Sequence, residues 1–215
     1  MKGRTLVIGD VHGCSQELSS LLKKLRPQPE DTLVSVGDLI GKGPDSRGVL
    51  EWAASTPNLV CVLGNHELRF LEAWKQGRRP TEKAYDRETL RQLGRGFDKA
   101  MRFLSSWPLR WEKAGLRVVH AGFDPRRALS GQEPRLMTNV RRLEDTGRPW
   151  YDHYKGGKVT TFGHWVRRKP LLRDNAIGID TGCVYGGSLT ALVWPERRLV
   201  SVRAKRVYVR RESWA

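Results

Sequence analysis

The stretch Thr5–Leu18, TLVIGDVHGCSQEL, decides how the rest of the chain is read. Thr5-Leu6-Val7-Ile8 has the composition of a buried strand. Gly9-Asp10-Val11-His12-Gly13 then breaks the run with a carboxylate and an imidazole two residues apart, between glycines. A helix opens at Cys14-Ser15, with Leu18, Leu21, Leu22 and Leu25 at helical spacing. Pro27 and Pro29 stop it. Its first N–H groups point toward the segment that carries Asp10 and His12, a placement that favours an anion.

The same pattern recurs downstream. DTLVSVGD reads as a second strand, residues 45–55 as a helix, and NLVCVLG as a third strand. Strand–helix–strand–helix–strand alternation predicts a parallel sheet flanked by helices. Residues 66–106 read as mostly helical and charged, LRVVHAG as a strand, and 123–158 as irregular. KVTTFGH, NAIGID, SLTALVW, RLVSVRA and RVYVR read as short strands. No linker, repeat or low-complexity segment divides the chain. One α/β domain over 1–215 is expected, a β-sandwich-like pair of layers with helices outside and a short lid from about 68–106 and 123–158.

Composition narrows the classes. With 215 residues, 39% hydrophobic and 29% charged, the chain reads as soluble and globular. No apolar run approaches the roughly 20 residues that span a bilayer, and the opening residues carry no usable signal peptide. A cytoplasmic protein without membrane association is expected. Three cysteines with no CxxC exclude a disulfide framework and a zinc-finger pattern. Lys plus Arg is 39 against 23 acids, a net charge of +16, which suits a polyanionic partner such as a nucleotide, nucleic acid or phosphoprotein.

Five strand ends carry the chemistry. Asp10 and His12 end the first, Asp38 the second (SVGDLIGKGPDS), and Asn65 and His66 the third (VLGNHE). His120 ends RVVHAG and His164 ends VTTFGH. Carboxyl ends of parallel strands converge at one sheet edge, where open α/β sheets place ligands. Carboxylate and neutral imidazole donors suit two divalent ions, with Mn, Fe, Zn, Ni or Co all compatible. A paired site of that kind serves hydrolytic in-line displacement. GDVHGC lacks the third glycine of GxGxxG, and LIGKGPDS is not a P-loop.

GDVHG, GDLIGKGPDS, GNHE, HAG and GHW, in this order over about residues 5–193, resemble the ordered motifs of the calcineurin-like metallophosphoesterases. The resemblance implies a four-layer α/β/β/α sandwich with a two-metal site. Asp10, His12 and Asp38 would hold one metal, and Asp38, Asn65, His120 and His164 the other, with Asp38 as bridge. GIDTGCVYGGSLTAL and FGHWV resemble the symmetrical diadenosine tetraphosphate hydrolases. In that branch the loop around 180–187, which here includes Tyr185, closes against the site. The chain is also similar to bacterial serine/threonine-type phosphoprotein phosphatases.

The resemblance implies direct attack on phosphorus by a metal-bridging hydroxide. Asp38 and His66 count as catalytic, His66 protonating the leaving oxygen or stabilising its charge. Lys42, Asn65, Arg141 and Tyr185 would hold the substrate, with Arg142 the alternative to Arg141. Two departures stand out: Gly41 and Lys42 occupy the place of an Asp-Arg pair. A lysine offers a point charge where arginine offers a bidentate fork. Without the Asp, Glu67 or a backbone carbonyl is left to orient His66. The expected activity is Np4N hydrolysis to two nucleoside diphosphates with manganese. Nucleotide-capped RNA is an extended substrate. A serine, threonine or tyrosine protein phosphatase is the alternative, and a catalytically weak binding module is a third reading.

Overall fold

TLVI forms β1, Thr5–Ile8, in a computed structural model that describes residues 3–210. The ends of the 1–215 domain beyond those residues lie outside the description. Leu6 and Ile8 face one hydrophobic layer and Val7 faces another, the period of two that a strand imposes. That alternation places β1 at the centre of the molecule.

The chain continues through α1 (Ser15–Leu25), β2 (Thr32–Ser35), α2 (Ser46–Ser55), β3 (Leu59–Cys61), α3 (Asn65–Lys75), α4 (Ala84–Leu93) and α5 (Phe97–Leu104). Next come β4 (Arg110–Lys113), β5 (Leu116–Val119), α6 (Pro134–Asn139), α7 (Trp150–His153) and β6 (Val159–Phe162). It closes with β7 (Leu171–Leu172), β8 (Ala176–Gly178), β9 (Asp180–Thr181), β10 (Ser188–Trp194) and β11 (Arg198–Arg203).

Two sheets result. The first runs β11-β10-β1-β2-β3, with β9 also on β10; the second runs β4-β5-β6-β8-β7. β1, β2 and β3 are mutually parallel, as are β5, β6 and β8. Val7, Val34, Val62, Val118, Ile177 and Leu192 fill the space between the sheets. Leu18, Leu21, Val49, Phe70, Phe97 and Met101 bind the α1–α5 side to the first sheet. Phe123, Met137, Trp150 and Phe162 bind the α6–α7 side to the second. The architecture is therefore the four-layer α/β/β/α sandwich, as a single domain.

Residues 68–106 and 123–158 supply much of the two outer layers, and Lys83, Tyr85 and Arg141 from them line a cleft. β4 escapes the sequence reading because RWEK is polar. It is set by a hairpin whose two turn residues, Ala114 and Gly115, both have positive φ, 43° and 80°, the primed-turn pattern that matches strand twist. RVYVR does not form the expected strand. The backbone N–H groups of Tyr208 and Val209 both donate to the Val184 carbonyl, so this segment straps the loop before β10 instead of extending a sheet. Among the described residues no helix is long and apolar enough to cross a membrane.

Candidate active site

The carboxyl ends of β1, β2, β3, β5 and β6 meet at one edge of the sandwich. Asp10, His12, Asp38, Lys42, Asn65, His66, Arg141, His164 and Tyr185 line a single cleft of about 270 Å³ there. His120 lies just beneath, fully buried, with Nε2 3.0 Å from Asn65 Oδ1. All ten residues singled out from the sequence thus come together. His12, Asp38, Lys42 and His164 sit at φ of 47°, 52°, 64° and 61°. Non-glycine residues rarely accept that conformation, and it concentrates where a site over-determines the backbone.

Hydrogen bonds orient the donors. His12 Nδ1 donates to the Ile40 carbonyl at 3.2 Å and His120 Nδ1 to the Val36 carbonyl at 2.9 Å. Each bond fixes the tautomer and leaves an Nε2 lone pair for a ligand, the arrangement seen in metal-binding histidines. His120 Nε2 lies 3.6 Å from Asp38 Oδ1, and His12 Nε2 lies 3.5 Å from Asp38 Oδ2. Asp38 therefore lies between His12 and His120. Asp10 Oδ2 accepts from His164 N at 3.0 Å. Asp10 Oδ1 is buried with no partner. A Cβ at position 163 would stand 1.9 Å from that oxygen, so only glycine lets the backbone pass there.

The residues fit divalent cations. A lone pair of His120 Nε2 faces the Asn65 carbonyl oxygen, and Asp10 Oδ1 has no donor at all. These are contacts that a cation relieves. Charge points the same way: burial, then Asp180 and Asp38, push the Asp10 carboxyl well above its usual range. Burial opposes ionisation of Asp38 too, but His120, His66, His12 and Lys42 outweigh it and hold Asp38 ionised. Burial, reinforced by Lys42, lowers the His12 imidazole to about 3, so it is a neutral donor at physiological pH. Asp10, Asp38 and His120 have ligand atoms within 4.8 Å of one another, as do His12, Asp38 and His66.

Glu67 does not orient His66. Its carboxylate accepts from the N–H groups of Asp38 (2.9 Å), Ile40 (3.1 Å) and Gly64 (3.0 Å), pinning the two loops that carry Asp38 and Asn65. His66 instead has Arg69 Nη2 at 3.5 Å from Nδ1 and packs against the His12 and Tyr85 rings, 4.8 and 5.4 Å away. Gly41 makes this possible. Its φ is 87°, and a Cβ there would stand 2.4 Å from His66 Nδ1, so the imidazole fills the space a side chain would take. Buried Asp86 binds Arg69 directly. An Asp-Arg pair thus reaches His66 from α3 and α4 rather than from positions 41–42.

Sequence reasoning missed Arg69, Lys83 and Tyr85, which line the cleft; Asp180, at the start of the loop expected to close on the site, lines it too. Arg69 had one available signal, since it falls three residues after His66 and so on the same helix face. Lys42 Nζ lies 3.1 Å from His12 Nε2 and 5.4 Å from the Tyr185 ring centre. Burial works against its charge, but Asp38, Tyr185 and Asp180 raise its pKa. The Lys42 loop is fixed by α4: Gln92 donates to the Gly43 carbonyl and accepts from Ser46 N. Arg141 Nη2 reaches the His164 carbonyl at 3.4 Å. Arg142 turns away to the Gly147 carbonyl.

Comparison with known proteins agrees with this geometry. The calcineurin-like phosphoesterase family profile matches residues 3–200. The symmetrical bis(5'-nucleosyl)-tetraphosphatase of Methylobacillus flagellatus is 30% identical, covering 92% of this chain and 94% of that protein. The asymmetrical bis(5'-nucleosyl)-tetraphosphatase PrpE of Oceanobacillus iheyensis is also 30% identical, covering 94% and 93%. A crystal structure of a protein provisionally named a diadenosine tetraphosphatase superposes with a TM-score of 0.80 at 32% identity, covering 95% of each chain. With the motifs, the sandwich and the gathered carboxylate, amide and imidazole side chains in agreement, the chain belongs to the calcineurin-like phosphoesterase family.

Proposed function

We propose that this protein is a divalent-metal-dependent hydrolase of dinucleoside tetraphosphates that cleaves Np4N symmetrically to two nucleoside diphosphates. The observation that carries the reading is the joining of two elements in one cleft. One is the donor set Asp10, His12, Asp38, Asn65, His120 and His164. The other is a cationic lining of Lys42, Arg69, Lys83 and Arg141. The first suits metal-assisted hydrolysis at phosphorus, and the second suits a substrate with several phosphates in a row.

Asp10, His12 and Asp38 would hold one cation, and Asp38, Asn65, His120 and His164 the other. Bound divalent ions supply Lewis acidity, an activated water and neutralisation of phosphate charge. Manganese is the ion we propose, among the manganese, iron, zinc, nickel and cobalt that the mixed oxygen and imidazole donors suit. Lys42, Asn65 and Arg141 bind phosphate oxygens, and Tyr185 flanks Lys42 to shape the same wall. His66 stands at the leaving oxygen and shares or gives its ring proton. The segments that contribute Lys83 and Tyr85, and Arg141, act as a short lid. All three cysteines are free and buried, which accords with a reducing compartment and a cytoplasmic location.

The relatives' names support both the symmetrical and the asymmetrical split. The alignment with the Methylobacillus protein runs 265 positions against 215 residues here, so that relative carries insertions this chain lacks. The test is a substrate panel on the manganese-loaded protein: diadenosine tetraphosphate, a phosphopeptide, a nucleotide-capped RNA and p-nitrophenyl phosphate, with chromatography of products. ADP released from the tetraphosphate with far higher kcat/KM than phosphate from the peptide supports the reading. Preferential turnover of phosphopeptide or capped RNA contradicts it.

A further inference from the structure

Cys14 and Cys183 are far apart in sequence but meet in the fold, and Glu17 joins them one helical turn after Cys14. The two sulfurs and a Glu17 carboxylate oxygen all lie within 4.8 Å of one another. The three residues are 0%, 1% and 1% exposed for Cys14, Cys183 and Glu17. Glu17 Oε1 is held by Lys205 N at 2.9 Å and Tyr208 Oη at 2.8 Å. Glu17 Oε2 is buried without any partner. An orphan carboxylate oxygen in the interior costs the full desolvation of that atom. The carboxylate that carries it stands beside two thiols that can become ligands.

We propose that Cys14, Glu17 and Cys183 bind a thiophilic divalent cation such as zinc, at a site separate from the metal-donor cleft. A tetrahedral zinc with Zn–S near 2.3 Å places its sulfurs ~3.8 Å apart, so the observed cluster needs only a small contraction. The two sulfurs and one Glu17 carboxylate oxygen supply three donors, and a solvent molecule would take the fourth position. The softness of the set differs from the oxygen and imidazole donors of the cleft, which lets the two sites select different ions. The ion ties together three parts of the molecule. Cys14 starts α1 two residues after His12. Cys183 opens the turn that carries Tyr185. Glu17 anchors the segment of Lys205 and Tyr208. The inference is independent of the hydrolase reading and stands or falls on its own test.

The test titrates the full-length reduced protein with cadmium ion and follows the thiolate-to-cadmium charge-transfer absorption. The cleft has no sulfur ligand and is silent in this band. The expected result is a band that saturates at one cadmium per chain, survives Cys61→Ser and disappears in Cys183→Ser. Glu17→Gln should weaken cadmium binding about 10-fold or more. Circular dichroism and a thermal melt check that each variant is folded, and the wild-type titration needs no variant. No sulfur band in the folded wild type overturns the proposal, as does a band unchanged in Cys183→Ser. A native protein lighter than its dithiol form by two hydrogens also overturns it, because the sulfurs are then a disulfide.

Discussion

The backbone N–H of His66 donates to Asp38 Oδ1 at 3.0 Å. The carboxylate proposed to bridge two cations therefore also fixes the first turn of α3, which presents Asn65 and His66. Negative charge at a helix N-terminus is favourable in its own right. Ligand position and helix start are thus one feature. Asp38→Asn removes one anionic oxygen from both halves of the site. We expect at least about a 100-fold fall in kcat/KM, with elemental analysis showing manganese lost from the purified protein. Near-normal turnover with two manganese per chain contradicts the bridging role.

His66 is buried, and that burial, with Lys42, His12 and Arg69 around it, keeps its imidazole well below the usual range against the pull of Asp38. A neutral ring still offers one N–H to a leaving oxygen. His66→Asn should keep metal content and slow hydrolysis of phenyl phosphate by about 10²–10⁴-fold. The loss on p-nitrophenyl phosphate should be much smaller, since that leaving group needs little help. Equal losses on both esters argue against a role at the leaving oxygen.

Arg69 is held by Asp86 and sits at the cleft with Lys83 and Tyr85. If it contacts a phosphate beyond the reacting one, Arg69→Met removes a charge-assisted hydrogen bond worth roughly 1.5–3 kcal/mol. That is about 10- to 150-fold in kcat/KM for diadenosine tetraphosphate, expressed mainly in KM. The p-nitrophenyl ester, with a single phosphate, should lose far less. A uniform loss on both substrates assigns Arg69 to positioning His66 alone.

Asp31 gives a stability prediction away from the site. It is 2% exposed and accepts from Arg4 N at 2.8 Å and Gln28 N at 2.9 Å, besides pairing with the Arg4 guanidinium. Burial opposes its charge, but these hydrogen bonds prevail and hold its pKa below the usual carboxylate value. A lowered native pKa means the unfolded state binds more protons, so the contribution is complete above about pH 4 and fades as pH falls through the native pKa. Asp31→Asn should cost about 1–3 kcal/mol at pH 7 in urea unfolding. The gap from wild type should narrow in strongly acidic solution. A gap that does not change with pH contradicts the assignment.

The core strands, and the gathering of the proposed metal donors at one sheet edge, were legible because each carries its own local signal. Leu6, Val7 and Ile8 are apolar beyond what a loop needs, and Asp10, His12, Asp38, Asn65, His120 and His164 all follow such runs with a glycine within two residues. Arg69, Lys83 and Tyr85 were not legible. They sit in charged, helical stretches that look like any solvated surface, and only the packing of α3 and α4 turns them inward. Asp180 begins the 180–187 loop that was expected to close against the site, but its own place beside Asp10 depends on the pairing of β9 with β10. β4 is polar and is set by its local hairpin with β5 rather than by an apolar run, and the Tyr208 strap depends on Val184, 24 residues away in sequence.

The central claim is symmetrical hydrolysis of a dinucleoside tetraphosphate in the Asp38 cleft. The most direct measurement is turnover of diadenosine tetraphosphate by the manganese-loaded protein in ¹⁸O-water, with mass analysis of every nucleotide formed. The account predicts ADP as the sole nucleotide, with one ¹⁸O in one of each pair of ADP molecules. ATP and AMP as products would contradict it.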